Sequence, residues 1–86
     1  MASYKLLITA SAAKELESVE SKKDRQRLVT RIRSLATNPR PPGCQKVAGT
    51  QKHRIRQGNC RILYLVDDDE EIVTIVKFGD RKEVYR

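Results

Sequence analysis

The sequence has no tryptophan, one phenylalanine, one histidine and no long apolar run. A membrane-spanning helix needs about 18 consecutive apolar residues, and no segment of this chain approaches that length. The N-terminal residues also lack the basic, apolar and small-residue regions of a signal peptide. We therefore expect a soluble protein that stays in the cytoplasm.

Cysteine is scarce as well. Cys44 and Cys60 are too far apart for a CxxC metal or redox motif, and no cluster of cysteine and histidine accompanies them. The acidic run from Asp67 to Glu70 resembles a metal-binding loop, but it lacks the glycine and the spaced ligands of such loops. The sequence therefore predicts reduced thiols, a polar hairpin turn at the acidic run, and no metal or cofactor.

Acidic residues are missing from the middle of the chain. Between Arg25 and Val66 there are ten lysines and arginines and no aspartate or glutamate, and the formal net charge of the chain is +7. Such an imbalance indicates an acidic partner, which could be nucleic acid, an acidic protein or a membrane surface. A solvated charged face remains the alternative interpretation.

The N-terminal part of the sequence has a strand pattern followed by a helix pattern. Tyr4 to Ile8 predicts a short first strand. Thr9 or Ser11 can then cap a helix, whose apolar residues share one face and whose Glu15 is expected to point outward.

A second helix is expected to start near Lys22, because Ser21 followed by Asp24 resembles a capping box. Arginines cover much of its surface, and it should end at Asn38-Pro39. The apolar residues of this helix recur at helical spacing and form a core stripe of Leu28, Val29, Ile32, Leu35 and Ala36.

The C-terminal half has the composition of strands and turns. Arg40 to Gly43 must be a loop because of its two prolines, and Cys44 to Gln51 has little pattern and is expected to be irregular. Glu71 to Phe78 is rich in β-branched residues and predicts a strand that Gly79-Asp80 breaks. The predicted order is β-α-α-β-β-β, an α+β fold with two N-terminal helices on a small, mainly antiparallel twisted sheet. With 86 residues, we expect one domain spanning 1–86.

A hairpin in this half concentrates positive charge. Its turn is predicted at Gln57-Gly58-Asn59, and alternation along the first strand places Arg54 and Arg56 on one face and His53 on the other. Arg61, near the start of the second strand, can join the two arginines across the ladder. This arrangement is unfavourable unless an anion binds to it.

The chain resembles a RelE-type toxin of the RelE/ParE superfamily, the toxin-antitoxin endoribonucleases that cut messenger RNA in the ribosomal A site. The segments that carry the resemblance are 11–16, 35–39, 54–64 and 79–85. The resemblance implies a RelE-like domain and a metal-independent endoribonuclease without a cofactor. It also implies specific functional residues. The implied catalytic residues are Arg54, Arg56, Arg61, Arg81 and Tyr85. The residues expected to bind RNA are Lys46, Lys52, His53, Lys82 and Arg86.

Some of these positions have plainer interpretations. His53 shares its strand face with apolar residues, which favours a packing or rim role. Tyr64 alternates with apolar residues and is expected in the core. Arg81 and Tyr85 lie near the chain end, where fraying is the alternative. Arg54 and Arg56 occupy positions that are often lysine in such toxins, and arginine cannot readily act as a base.

The resemblance also implies partners. These are a cognate RelB-like antitoxin, the ribosome and messenger RNA, with no membrane, in the cytoplasm of a bacterium or archaeon. The expected assembly is a toxin-antitoxin hetero-oligomer, with a monomer as the free form. A ParE-like inhibitor of DNA gyrase and an inactive antitoxin-binding relative remain the alternatives.

Overall fold

A computed structural model describes residues 3–58 and 60–80. The expectations for Arg81, Lys82, Tyr85 and Arg86 lie outside these residues. The elements, in chain order, are β1 (Lys5–Ile8), α1 (Ala10–Glu17), α2 (Lys22–Thr37), β2 (Gln45–Lys46), β3 (Lys52–Gln57), β4 (Cys60–Asp67) and β5 (Ile72–Asp80).

The strands form one sheet in the order β1-β5-β4-β3-β2. The consecutive strands β2 to β5 pair antiparallel, whereas β1 pairs parallel to β5 because two helices intervene between them. The predicted α+β class, with two N-terminal helices on a mainly antiparallel sheet, is therefore confirmed.

Both helices begin where the sequence predicts. The Thr9 hydroxyl accepts a hydrogen bond from the Ala12 amide and caps α1, and the Ser21 hydroxyl accepts one from the Asp24 amide and caps α2. These hydroxyls satisfy amide donors that have no partner within a helix. The predicted end of α2 is also confirmed, with Asn38 as its C-cap residue.

The core lies between the helices and one face of the sheet. From α2 it receives Leu28, Ile32 and Leu35, which are at most 6% exposed. From the sheet it receives Ile55, Ile62, Tyr64, Val73, Ile75 and Phe78. The expectation that Tyr64 belongs to the core is confirmed, since its side chain is 0% exposed.

Two predictions about strand boundaries were wrong. Gln45 and Lys46 were expected in an irregular segment, but they form β2 by pairing with Arg54 and His53. Gly79-Asp80 was expected to break the last strand, but β5 continues through both residues because β4 offers each a pairing partner. Backbone pairing to a neighbouring strand outweighs the weak strand propensity of glycine and aspartate.

The prediction that Glu15 points outward was also wrong. Its carboxylate accepts a hydrogen bond from the Phe78 amide at 3.2 Å and pairs with the Lys77 ammonium at 3.2 Å. Glu15 thus attaches α1 to β5.

None of the helices in the described residues is long and apolar enough to cross a membrane.

Candidate nucleic-acid interface on the sheet

The strand β3 separates apolar from cationic side chains. Ile55 is 2% exposed and lies in the core beneath the helices. Because strand side chains alternate, Arg54 and Arg56 project from the opposite face of the sheet, with a spacing of about 7 Å along the strand. Lys52 shares this face by the same alternation.

Antiparallel pairing brings a third guanidinium group to that face. Arg61 of β4 lies directly opposite Arg56 in the register. Directly opposed residues have Cβ atoms about 5 Å apart and point to the same side of the sheet. We call the surface formed by Arg54, Arg56 and Arg61 the arginine face. Like charges placed directly opposite each other destabilise a sheet, so this arrangement favours an anionic ligand.

The members of the arginine face differ in how firmly they are held. A guanidinium nitrogen of Arg54 donates to Gln45 Oε1 at 2.7 Å, so β2 orients this side chain. Arg56 is exposed. Arg61 is 4% exposed and faces Gly79 across the β4–β5 ladder, where the glycine brings no side chain. The face therefore combines an accessible arginine with an enclosed one.

The other predicted RNA-binding residues are divided between the two sides of the sheet. Lys52 lies on the arginine face and is exposed. Lys46 pairs with His53 and therefore lies on the other side, at the β2 edge. The structure thus brings Lys52 to the three arginines and separates Lys46 and His53 from them.

His53 packs against the core instead of facing the arginines. Its ring lies 5.6 Å from the ring of Tyr64, and its Nδ1 is 3.9 Å from Cys44 Sγ. Burial lowers the pKa of His53, and the positive charges of Arg40 and Lys46 lower it further. The imidazole is therefore favoured in its neutral form.

Sequence reasoning missed an ion-pair cluster beside this histidine. Arg40 donates two hydrogen bonds to Asp68, at 3.1 and 2.9 Å, and the Tyr4 hydroxyl donates to the same carboxylate at 2.7 Å. The two donors lower the pKa of Asp68. The cluster joins three distant segments of the chain, so no local pattern could have indicated it.

Gln45 was missed as well, because its segment carried no recognisable pattern. Its only sequence signal is its position, shortly before an arginine-rich strand.

The structure describes no group of three or more potential metal ligands within residues 3–58 and 60–80.

The chain matches the sequence profile of a known family over residues 6–85, described as "ParE toxin of type II toxin-antitoxin system, parDE". A comparison with curated protein sequences finds no significant match.

Solved structures show the same fold. The chain is similar to RelE in the archaeal RelE-RelB complex from Pyrococcus horikoshii, with 26% identity and a TM-score of 0.82 over 92% of this chain and 96% of that one. It is also similar to the RelBE2 toxin-antitoxin complex from Mycobacterium tuberculosis, with 21% identity and a TM-score of 0.80 over 96% and 97% of the two chains. The isolated E. coli RelE toxin matches with 23% identity and a TM-score of 0.78 over 95% and 90%.

The profile covers nearly the whole chain, and the fold agrees with it. This chain therefore belongs to the ParE toxin family, within the RelE/ParE superfamily of type II toxin-antitoxin toxins.

Proposed function

We propose that this toxin is an endoribonuclease that cleaves messenger RNA in the ribosomal A site and thereby inhibits translation. The observation that carries the proposal is the cross-strand pairing of Arg56 with Arg61, beside Arg54 on the same face. Three neighbouring guanidinium groups suit a phosphate, because each presents paired donors in a planar fork.

The reaction begins with attack of a ribose 2′-hydroxyl on the adjacent phosphate. The new bond joins the 2′-oxygen to phosphorus, and the bond to the 5′-oxygen of the next nucleotide breaks. The attacking hydroxyl must lose a proton, the leaving oxygen must gain one, and the pentacoordinate phosphorane between these steps carries extra negative charge. Preorganised cations stabilise that charge, and such stabilisation is usually the largest contribution to catalysis.

The arginines receive roles from this chemistry. Arg54 and Arg56 hold the phosphate oxygens, and Arg61 stabilises the phosphorane from its enclosed position. Tyr85 is proposed as the base, because neighbouring positive charges favour a phenolate. Arg81 is proposed to orient the phosphate or stabilise the leaving oxygen. A ribosome that orients the RNA would compensate for weak acid-base groups, since orientation can lower a barrier by about 7 to 11 kcal/mol.

An antitoxin is the second proposed partner. The relatives from Pyrococcus horikoshii and Mycobacterium tuberculosis were solved as toxin-antitoxin complexes. We propose that a RelB-like antitoxin binds this toxin. Acidic residues of the antitoxin would cover the arginine face and the neighbouring Lys52. The complex would be a hetero-oligomer in the cytoplasm.

The proposed nuclease can be tested by primer extension on a defined messenger RNA programmed into ribosomes. The wild-type chain should cut within the A-site codon. Arg61→Ala, Arg81→Ala and Tyr85→Phe should each slow cleavage by about a hundredfold or more, as expected when a transition-state contact is lost. Lys22→Gln is the control, because Lys22 is an exposed cation on α2, away from the arginine face.

A Tyr85→Phe variant that binds ribosomes normally and cuts slowly would support Tyr85 as the base. Wild-type rates in the Arg61, Arg81 and Tyr85 variants would contradict the assigned roles.

The family profile supports a second candidate function, inhibition of DNA gyrase, because its description names ParE. A gyrase supercoiling assay should therefore accompany the ribosome assay. Intact messenger RNA together with blocked supercoiling would assign the toxin to the gyrase class. No cleavage of messenger RNA and no inhibition of supercoiling would favour an inactive relative that binds only its antitoxin.

A further inference from the structure

A second cationic surface lies along α2, away from the arginine face. A shallow groove of about 520 Å³ follows this helix, and Lys23, Arg27 and Arg31 line it. These residues are four apart, so they lie on one face of the helix, with an advance of about 6 Å from each to the next. This spacing resembles the separation of successive phosphates along an RNA strand.

The remaining lining of this α2 groove is polar and uncharged. It consists of Gln26, Thr30 and Ser34 on the helix, and Gln57 at the end of β3. Hydroxyl and amide groups of this kind, together with arginine and lysine, make most protein contacts to phosphates and sugars. Among the described residues, no apolar or aromatic side chain lines the groove, so they provide no anchor for a peptide and no platform for stacking a base.

One of the lining arginines has an unmet hydrogen-bonding requirement. Arg31 Nε is buried and has no hydrogen-bond partner among the described residues. A buried donor without a partner costs free energy, so the Arg31 side chain can turn toward an anion in the groove without breaking a hydrogen bond at Nε. Asp24 competes only weakly with an anion for Arg27. Its carboxylate lies 4.0 Å from the Arg27 guanidinium, and both side chains are more than 60% exposed.

We propose that the α2 groove binds the sugar-phosphate backbone of RNA, independently of base sequence and apart from the arginine face. The choice of RNA over another polyanion rests on the proposed function. The groove would hold one stretch of RNA backbone while the arginine face acts on another phosphate. A partner protein fits less well, because tight protein interfaces rely on buried apolar or aromatic anchors that this groove lacks.

The test measures binding of a fluorescent 2′-O-methyl oligouridine by anisotropy, across a series of salt concentrations. This RNA has no free 2′-hydroxyl to attack its phosphates, so binding is measured without cleavage. The double variant Arg27→Gln/Arg31→Gln should bind roughly tenfold more weakly, and the slope of log K against log salt should become shallower by about 1.4.

The matched control is the double variant Lys22→Gln/Arg33→Gln. It removes the same charge from exposed positions of α2 that do not line the groove. It should leave the salt slope nearly unchanged. A third variant, Arg27→Lys/Arg31→Lys, keeps the charge and should retain most of the slope. Thermal unfolding of each variant identifies any that fails to fold.

Equal weakening in the groove variant and in the control would overturn the proposal, because net charge alone would then explain binding. The proposal would also be overturned if the groove variant bound RNA normally but bound polyglutamate more weakly. The groove would then be a protein-binding surface. The proposed function can fail separately from this proposal. Ribosome-bound messenger RNA would then stay intact in the cleavage assay, while the groove variant would still lose affinity for the oligouridine. In that case the groove binds RNA, but the toxin is not the proposed nuclease.

Discussion

The hydroxyl of Tyr64 is a buried polar group that is held by hydrogen bonds within the core. It donates to the Pro39 carbonyl at 2.7 Å, and its oxygen lies 3.0 Å from Cys44 Sγ, which can donate to it. Burial raises the pKa of Tyr64, and the interaction with Cys44 raises it further. The phenol therefore stays neutral and joins the end of α2, the loop before β2 and the centre of β4.

Tyr64→Phe should lower the free energy of unfolding by about 1 to 3 kcal/mol, because it leaves the buried Pro39 carbonyl without its donor. Urea denaturation measures this change. Tyr4→Phe is the control, since the Tyr4 hydroxyl is also hydrogen-bonded but is exposed to water. A Tyr64 variant as stable as the Tyr4 variant would show that this hydrogen bond adds no net stability.

His53 should make stability depend on pH. Its pKa is lowered in the folded state, so the unfolded chain binds a proton more readily. The contribution of neutral His53 is complete above its ordinary pKa of about 6.5 and is lost as the pH falls through the lower folded value. The free energy of unfolding should therefore drop as the pH falls below about 7.5, and His53→Gln should reduce that drop. An identical drop in the variant would assign it to other groups.

At the residue scale, the sequence predicted which side chains share a face but not what holds them. Alternation alone predicted that Arg54 and Arg56 project from one face of the strand and His53 from the other, because the period of a strand is fixed by covalent geometry. The contact between Arg54 and Gln45 was not predictable, since it depends on a two-residue strand that forms only when β3 offers an edge.

At the scale of elements, the attachment of α1 depends on one carboxylate. Glu15 bonds both the Phe78 amide and the Lys77 ammonium of β5. The short helix has few buried side chains, with Ala12 its only fully buried residue among those described. The polar contact therefore supplements a small apolar one.

Glu15→Ala should lower the free energy of unfolding by about 1 to 2 kcal/mol, because the Phe78 amide loses its acceptor. Glu15→Gln keeps an acceptor oxygen and loses only the half-exposed ion pair with Lys77, so its cost should stay below about 1 kcal/mol. Chemical denaturation of both variants separates the two contributions. Equal losses would mean that the charge, not the hydrogen bond, attaches the helix.

The elements themselves were largely predictable from local chemistry. Capping residues and apolar spacing located both helices, because their termini need side-chain acceptors that Thr9 and Ser21 provide. The end of β5 was not predictable from Gly79-Asp80, because only the pairing with β4 shows that the ladder continues.

At the scale of the whole molecule, the two helices and the sheet share one core cluster, which Leu35 of α2 joins at 0% exposure. The positive surfaces lie outside this cluster, on the arginine face and along α2. Substitutions of core residues should therefore change stability, whereas substitutions of the exposed arginines should change binding. Positions 81–86 lie outside the described residues, and the roles proposed for Arg81 and Tyr85 come from sequence resemblance.

Leu35→Ala should destabilise the whole domain by about 2 to 5 kcal/mol, because a fully buried leucine leaves a cavity when truncated. Leu7→Ala is the matched control, since Leu7 is 40% exposed on β1 and should cost below about 1 kcal/mol. Both transitions should be followed by far-ultraviolet circular dichroism and by tyrosine fluorescence, which is available because the chain has three tyrosines and no tryptophan. Coincident curves would support one cooperative unit, in which helices and sheet unfold together. Helical signal that persists after the tyrosine signal is lost would show that α1 and α2 do not depend on the shared core.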